Sequence, residues 1–166
     1  MAHILKPPAP LTGCGSPCVF LAGSIEMGTA TNWQRQSERA LDDVDEHAAW
    51  ELTILNPRRN DWDASWTQSI DTPEFRAQVE WELDGLERAD VIAMYFAPDT
   101  KAPISLLELG LVATSGKAVV LCPEGFWRKG NVDIVCQRHN IEQAEDFAGL
   151  MHAVRARIAK VAERLG

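Results

Sequence analysis

A doubly wound α/β fold on a five-stranded parallel sheet is what this sequence predicts, and three observations predict it. Short apolar runs without polar alternation recur along the chain, as strands buried on both faces require. Helical apolar patterns alternate with those runs. The links between them are short, which implies a βαβαβαβαβα order with right-handed crossovers. Five strands favour the flavodoxin-like order 2-1-3-4-5, in which a ligand crevice opens beyond the carboxyl ends of strands 1 and 3. Residues that follow the strands are therefore the candidates for function.

The expected strands are Cys18–Ala22, followed at once by Gly23; Leu52–Leu55, ending in Asn56-Pro57; Val91–Phe96, ending in Ala97-Pro98-Asp99; Ala118–Leu121, ending in Cys122-Pro123; and a weak fifth around Asn140–Ala144. Helices are expected at about 32–49, 73–88, 105–115, 131–138 and 145–165. Thr72 and Pro73 suit the cap and first position of the second helix. In the last, Phe147, Leu150, Met151, Val154, Ile158, Val161 and Leu165 form one stripe. Residues 1–16, rich in proline and glycine, are expected to form an irregular arm, and residues 17–166 a single domain.

Composition narrows the function. The net charge of −8 argues against a nucleic-acid polymer as partner, since tracking phosphates needs an excess of Lys and Arg. It leaves room for a nucleoside or mononucleotide. No apolar run approaches a membrane span, and the amino terminus lacks the apolar region of a signal peptide. Cys14, Cys18, Cys122 and Cys136 form no C-x-x-C pair and are read as free thiols in a reducing, cytoplasmic compartment, with no metal site. His3, His47, His139 and His152 are scattered and carry no assignment.

Two glutamates stand out. On helix 73–88 the expected apolar stripe is Phe75, Val79, Leu83 and Leu86, and Glu82 falls within it. A charged carboxylate there is either ion-paired or turned into a polar crevice. Glu108 lies among apolar neighbours in Pro103-Ile-Ser-Leu-Leu-Glu-Leu-Gly110. Ser105-x-x-Glu108 reads as a capping box; alternatively Glu108 is an anion held at a helix start on the crevice side, as a nucleophile must be.

The loops supply further candidates. Gly23 and Ser24 would let a ligand approach the backbone, or form a plain strand-to-helix turn. The stretch lacks G-x-G-x-x-G and the P-loop lysine, which disfavours dinucleotides and nucleoside triphosphates. Asn56-Pro-Arg-Arg-Asn-Asp-Trp-Asp63 is dense in hydrogen-bonding groups, with Asn56, Arg58 and Asp61 as candidate substrate ligands. Glu124-Gly-Phe-Trp-Arg-Lys-Gly-Asn131 mixes aromatics with cations. Arg58, Arg59, Arg128 and Lys129 are candidate phosphate ligands or surface charges.

Taken together, Leu83-x-Gly85-Leu86-x-x-x-Asp90-Val91, Pro98-Asp99, Glu108-Leu109-Gly110 and Gly116-Lys117 before a strand resemble the nucleoside 2-deoxyribosyltransferase superfamily, over about residues 18–136. The Asn56–Asp63 run and Pro-Glu-Gly-Phe-Trp are similar to a bacterial deoxyribosyltransferase-like branch. The resemblance implies N-glycosidic cleavage or transfer on deoxynucleosides, without a cofactor or metal, and with Glu108 as nucleophile. It makes Glu82 the acid that assists the base or orients the sugar, a glutamate where aspartate is common. The family places a further aspartate six residues before the nucleophile; Ala102 stands there, with Asp99 or Ser105 as substitutes. The family also borrows an asparagine from a neighbouring subunit; Asn131 fits, which implies a homo-oligomer with shared sites. Two other functions fit the same residues: hydrolysis of a (deoxy)nucleoside 5′-monophosphate, and nucleotide sensing without turnover.

Overall fold

The computed structural model describes every residue except 27–30, 47, 60 and 62. The expectations for the 24–31 and 56–63 loops and for helix 32–49 therefore fall partly outside the described residues. The chain runs β1 (His3–Leu5), β2 (Cys18–Gly23), α1 (Trp33–Leu41), β3 (Thr53–Leu55), α2 (Pro73–Arg88), β4 (Val91–Tyr95), α3 (Pro103–Val112), β5 (Ala118–Leu121), α4 (Lys129–Arg138), β6 (Glu142–Ala144) and α5 (Phe147–Glu163).

All pairings are parallel, in the order β1-β3-β2-β4-β5-β6. The expected order 2-1-3-4-5 is present as β3-β2-β4-β5-β6. The correction is a sixth strand. Residues 3–5 of the arm expected to be irregular pair with β3, His3 opposite Thr53 and Leu5 opposite Leu55. Three residues flanked by loops are too few to show a period, and their pairing depends on an edge contributed fifty residues later.

The sheet separates two cores. Val19, Leu21, Ile54, Ala93 and Val119 point to one face and pack on Trp33 and Leu41 of α1 and Leu150, Val154 and Ile158 of α5. Phe20, Ala22, Leu55, Met94 and Val120 point to the other and pack on residues of α2, α3 and α4. This alternation along each strand puts helices on both faces, as the unbroken apolar runs required. Among the described residues no helix is long and apolar enough to cross a membrane.

Local chemistry sets the helix ends. Helix α1 starts where the Asn32 side chain accepts the Arg35 amide, and it stops at Leu41, well short of residue 49. Asp42, Asp43, Asp45 and Glu46 follow, and negative charge is unfavourable at a helix carboxyl end. Asp45 instead accepts the Leu52 amide and the amino-terminal ammonium, each at 3.0 Å. Thr72 occupies the cap position of α2, but its side chain makes no capping bond.

The stripe expected on α2 is rotated. Its buried residues are Gln78, Trp81, Gly85 and Leu86, whereas Leu83 is 41% exposed. Close packing decides this: Gly85 lies against Phe20, where an added Cβ would come within 2.6 Å of the ring. Trp81 stacks on the same ring, centroids 6.2 Å apart, and donates its indole N–H to the Ala9 carbonyl at 2.8 Å. The four cysteines are free, with Cys18, Cys122 and Cys136 buried.

Candidate active site

Helix α3 begins two residues earlier than expected, and that shift removes one reading of Glu108. Its cap position is Ala102, in the left-handed region at φ 42°, with Pro103 at the first turn. Ser105 is then inside the first turn and closes no capping box. Ala102 lacks a capping side chain, and the carboxylate of Glu26 stands in by accepting the amides of Lys101 at 2.6 Å and Ala102 at 2.7 Å. Glu108 is therefore not engaged in helix capping. It is 8% exposed, and its carboxyl accepts no hydrogen bond from any described residue. Ser105, one turn earlier, is also buried, and its hydroxyl bonds to no described residue.

Glu82 approaches the same region from α2. Its Oε1 accepts a 2.6 Å bond from Nε2 of Gln78, one turn back on the helix. Burial pushes its carboxyl up to about 7, against the pull of that hydrogen bond. Burial pushes Glu108 up to about 8, and the negative charge of Glu82 adds to the shift. Glu108 thus lies within reach of the charge of Glu82, and both carboxyls are held well above the ordinary carboxylate range. A single proton shared by such a pair leaves one carboxylate and one acid.

The loops beyond β2 and β4 are locked together. Gly23, at φ 149°, lets the strand end approach closely: a Cβ would lie 2.3 Å from the Tyr95 carbonyl. Ser24 is fully buried; its hydroxyl bonds to Thr100 Oγ1 at 2.8 Å and accepts the Ala97 amide at 2.9 Å. Its side chain thus fixes the β4–α3 loop from within. Asp99 in that loop sits at φ 61° with an exposed side chain. The structure does not bring it to the glutamate pair by any described contact.

After β3, the buried Asn56 turns the chain: its Oδ1 accepts the Arg58 amide at 2.9 Å and its Nδ2 donates to Glu38 at 2.6 Å. Arg58 donates to the Thr31 carbonyl and to Gln34 Oε1, both at 3.3 Å. Asp61 is exposed and holds Arg59 through two 2.9 Å bonds. Asn131, on α4, is exposed and lines a groove of ≈ 310 Å³ with Leu106, Trp127 and Arg128. Phe126, beside Trp127, is 4% exposed and packs on Phe96, whereas Trp127 stands out at 47%. Among the described residues no group of His, Cys, Asp or Glu is placed to hold a metal ion.

Glu26, Gln78 and Thr100 were not expected to support the site. Gln78 had a signal, a polar group four residues before Glu82 on one helix face. Glu26 had none, because its partners lie 75 residues away.

A parallel α/β sheet with a buried carboxyl, Glu108, shifted by the charge of a half-buried one, Glu82, on the helices of one face defines the class. Within that class, the chain belongs to the nucleoside 2-deoxyribosyltransferase-like family, whose profile matches residues 16–126. A comparison with curated proteins finds no match. Membership carries the general kind of function, chemistry on nucleosides.

Proposed function

We propose that the chain breaks the N-glycosidic bond of a deoxynucleoside with Glu108 as nucleophile, and hands the sugar to a second base or to water. The observation that carries this reading is Glu108 itself: a buried carboxyl with no described hydrogen-bond partner, close enough to Glu82 to be shifted by its charge. In the first step a Glu108 oxygen bonds to the anomeric carbon. The carbon–nitrogen bond breaks, and its electrons leave with the base, which takes up a proton through Glu82. In the second step the nitrogen of a new base, or a water oxygen, attacks the same carbon, gives its proton to the Glu82 carboxylate left by the first step, and frees the Glu108 carboxylate. Burial makes Glu108 the more basic of the two, so the reacting form is the minor one in which the proton of the pair sits on Glu82 and Glu108 is ionised.

Ser105, buried one turn before Glu108, is the proposed ligand for a sugar hydroxyl, with Asp99 at the crevice rim. Asn131 would complete the site of a neighbouring copy. The groove beside it and the exposed Ile104, Leu107 and Leu111 on the outer face of α3 support a homo-oligomer. The four free thiols suit a cytoplasmic setting.

Trapping tests the reading. A 2-fluoro-substituted deoxynucleoside slows formation and breakdown of the glycosyl ester, and mass spectrometry should find the sugar on the peptide containing Glu108. With the natural substrate, a new nucleoside in the presence of a second base marks transfer; free base alone, or release only from a 5′-monophosphate, marks hydrolysis. Binding without either product marks a sensor and ends the catalytic reading.

A further inference from the structure

The geometry points to Gln78 and Arg59 as positioning residues: Arg59 fixes the orientation of the Gln78 amide, and that amide fixes one carboxyl oxygen of Glu82, so that the other oxygen is the one that carries and delivers the proton. This rests on the reading of Glu82 as the acid of the pair.

The chain of contacts begins at the surface. Asp61 grips the Arg59 guanidinium through Nε and Nη2, each at 2.9 Å. The guanidinium also lies over the Trp66 ring, 5.1 Å from its centroid. So held, Arg59 directs Nη1 to Oε1 of the buried Gln78 at 3.5 Å. A guanidinium only donates, so it accepts one orientation of the amide, with the oxygen towards Arg59. The amide nitrogen is then turned the opposite way, where its two hydrogens meet the Pro57 carbonyl at 3.3 Å and Glu82 Oε1 at 2.6 Å. Both Gln78 donors and its acceptor are occupied, which leaves the amide nothing to gain by flipping.

The consequence for Glu82 follows from the donor count. An oxygen that accepts a short N–H bond is the poorer site for a proton, because protonation makes it a weaker acceptor and weakens the bond it already holds. The proton therefore goes to Oε2, which accepts no bond from a described residue. Among the described residues, few groups act on this carboxyl. Glu108 of α3 lies near enough for the charge of Glu82 to raise its pKa, and Arg59 with Asp61, from the segment after β3, reach Glu82 through Gln78. Arg59 polarises the amide and strengthens its donation, which favours the charged form of Glu82 and opposes burial.

The titration of Glu82, followed by carbon-13 NMR with Glu82→Gln for assignment, tests the relay without turnover. Gln78→Leu, close in volume and apolar, should raise the midpoint by about one pH unit, as loss of a hydrogen bond to a charged group implies. Arg59→Met should raise it less, and Arg59→Lys should restore much of the original value. In turnover, Gln78→Leu should lower kcat by roughly ten- to a hundredfold with little change in KM, and should move the alkaline limb of the pH profile upwards. A residue with a merely structural role would move neither limb nor midpoint. An unchanged midpoint in Gln78→Leu overturns the proposal, and an unchanged midpoint in Arg59→Met overturns the part given to Arg59. If the wild type cleaves no nucleoside, the functional reading fails, while the titration still decides whether the relay exists.

Discussion

Helices α3 and α5 are both rich in apolar residues, and both bury some of them (Leu109 and Val112 in α3), yet they differ in what else they turn inwards and leave outside. Helix α5 turns Leu150, Met151, Val154 and Ile158 into the core and its charges to solvent. Helix α3 turns Ser105 and Glu108 inwards and leaves Ile104, Leu107 and Leu111 more than half exposed. The first arrangement is what burial of apolar surface dictates. The second opposes it twice, with a desolvated acid inside and apolar surface outside. Such an inversion is expected where a helix serves a site on one side and a partner on the other.

Substitutions sharpen the contrast. Glu108→Gln should lower kcat/KM by on the order of a thousandfold or more, since an amide cannot serve as the nucleophile. It should leave the protein at least as stable, because the buried acid is removed without loss of volume. Full activity in this variant would reduce the buried glutamate to a structural oddity. In α5 the signs reverse. Ile158→Ala should destabilise by about 2–5 kcal/mol in thermal or urea unfolding, with activity per folded molecule unchanged.

Stability against pH separates the helices again. Glu82 and Glu108 bind protons more tightly folded, at about 7 and about 8, than at the ordinary value of 4.5. Between those limits the folded state holds the extra protons, so stability declines as pH rises through this window and levels off above it. Each glutamine variant should flatten the decline and add roughly 1–3 kcal/mol at pH 8 relative to wild type. A curve that rises with pH up to 8, and is unaltered by the two substitutions, would mean that the carboxyls are not desolvated. The smallest effect on the protomer belongs to Leu107→Lys, within about 0.5 kcal/mol. The same change should shift sedimentation from oligomer to monomer. A wild type that is already monomeric at micromolar concentration would remove the partner from the account of α3.

The unusual setting of the two glutamates was legible in the sequence. Glu108 and Glu82 announce themselves as acids among apolar neighbours, and the position of loops after strands marks the ligand side of a parallel sheet. The roles of the loop residues were less legible. Ser24 and Asn56 are polar at strand ends whether they touch a ligand or tie the backbone, and here their side chains bond within the protein. Gln78 and Arg59 belong to different segments, and only the folded chain places one amide between a guanidinium and a carboxyl.

The sequence by itself determined the four buried apolar strands and their parallel order, with the two-sided cover of helices, and marked a weak fifth at residues 140–144. Unbroken apolar runs have no stable place except between two helical layers, and that argument needs no coordinates. Tertiary structure alone decided the sixth strand, the rotation of α2 and the start of α3. Each is a matter of fit between distant segments: β1 along the open edge of β3, Gly85 against the Phe20 ring, Glu26 on the amides before Pro103. Periodicity encodes which residues are buried, but contacts across the sheet and between loops select which face of a helix turns inwards and where it begins. That selection leaves Glu108 in the interior without a hydrogen-bond partner among the described residues.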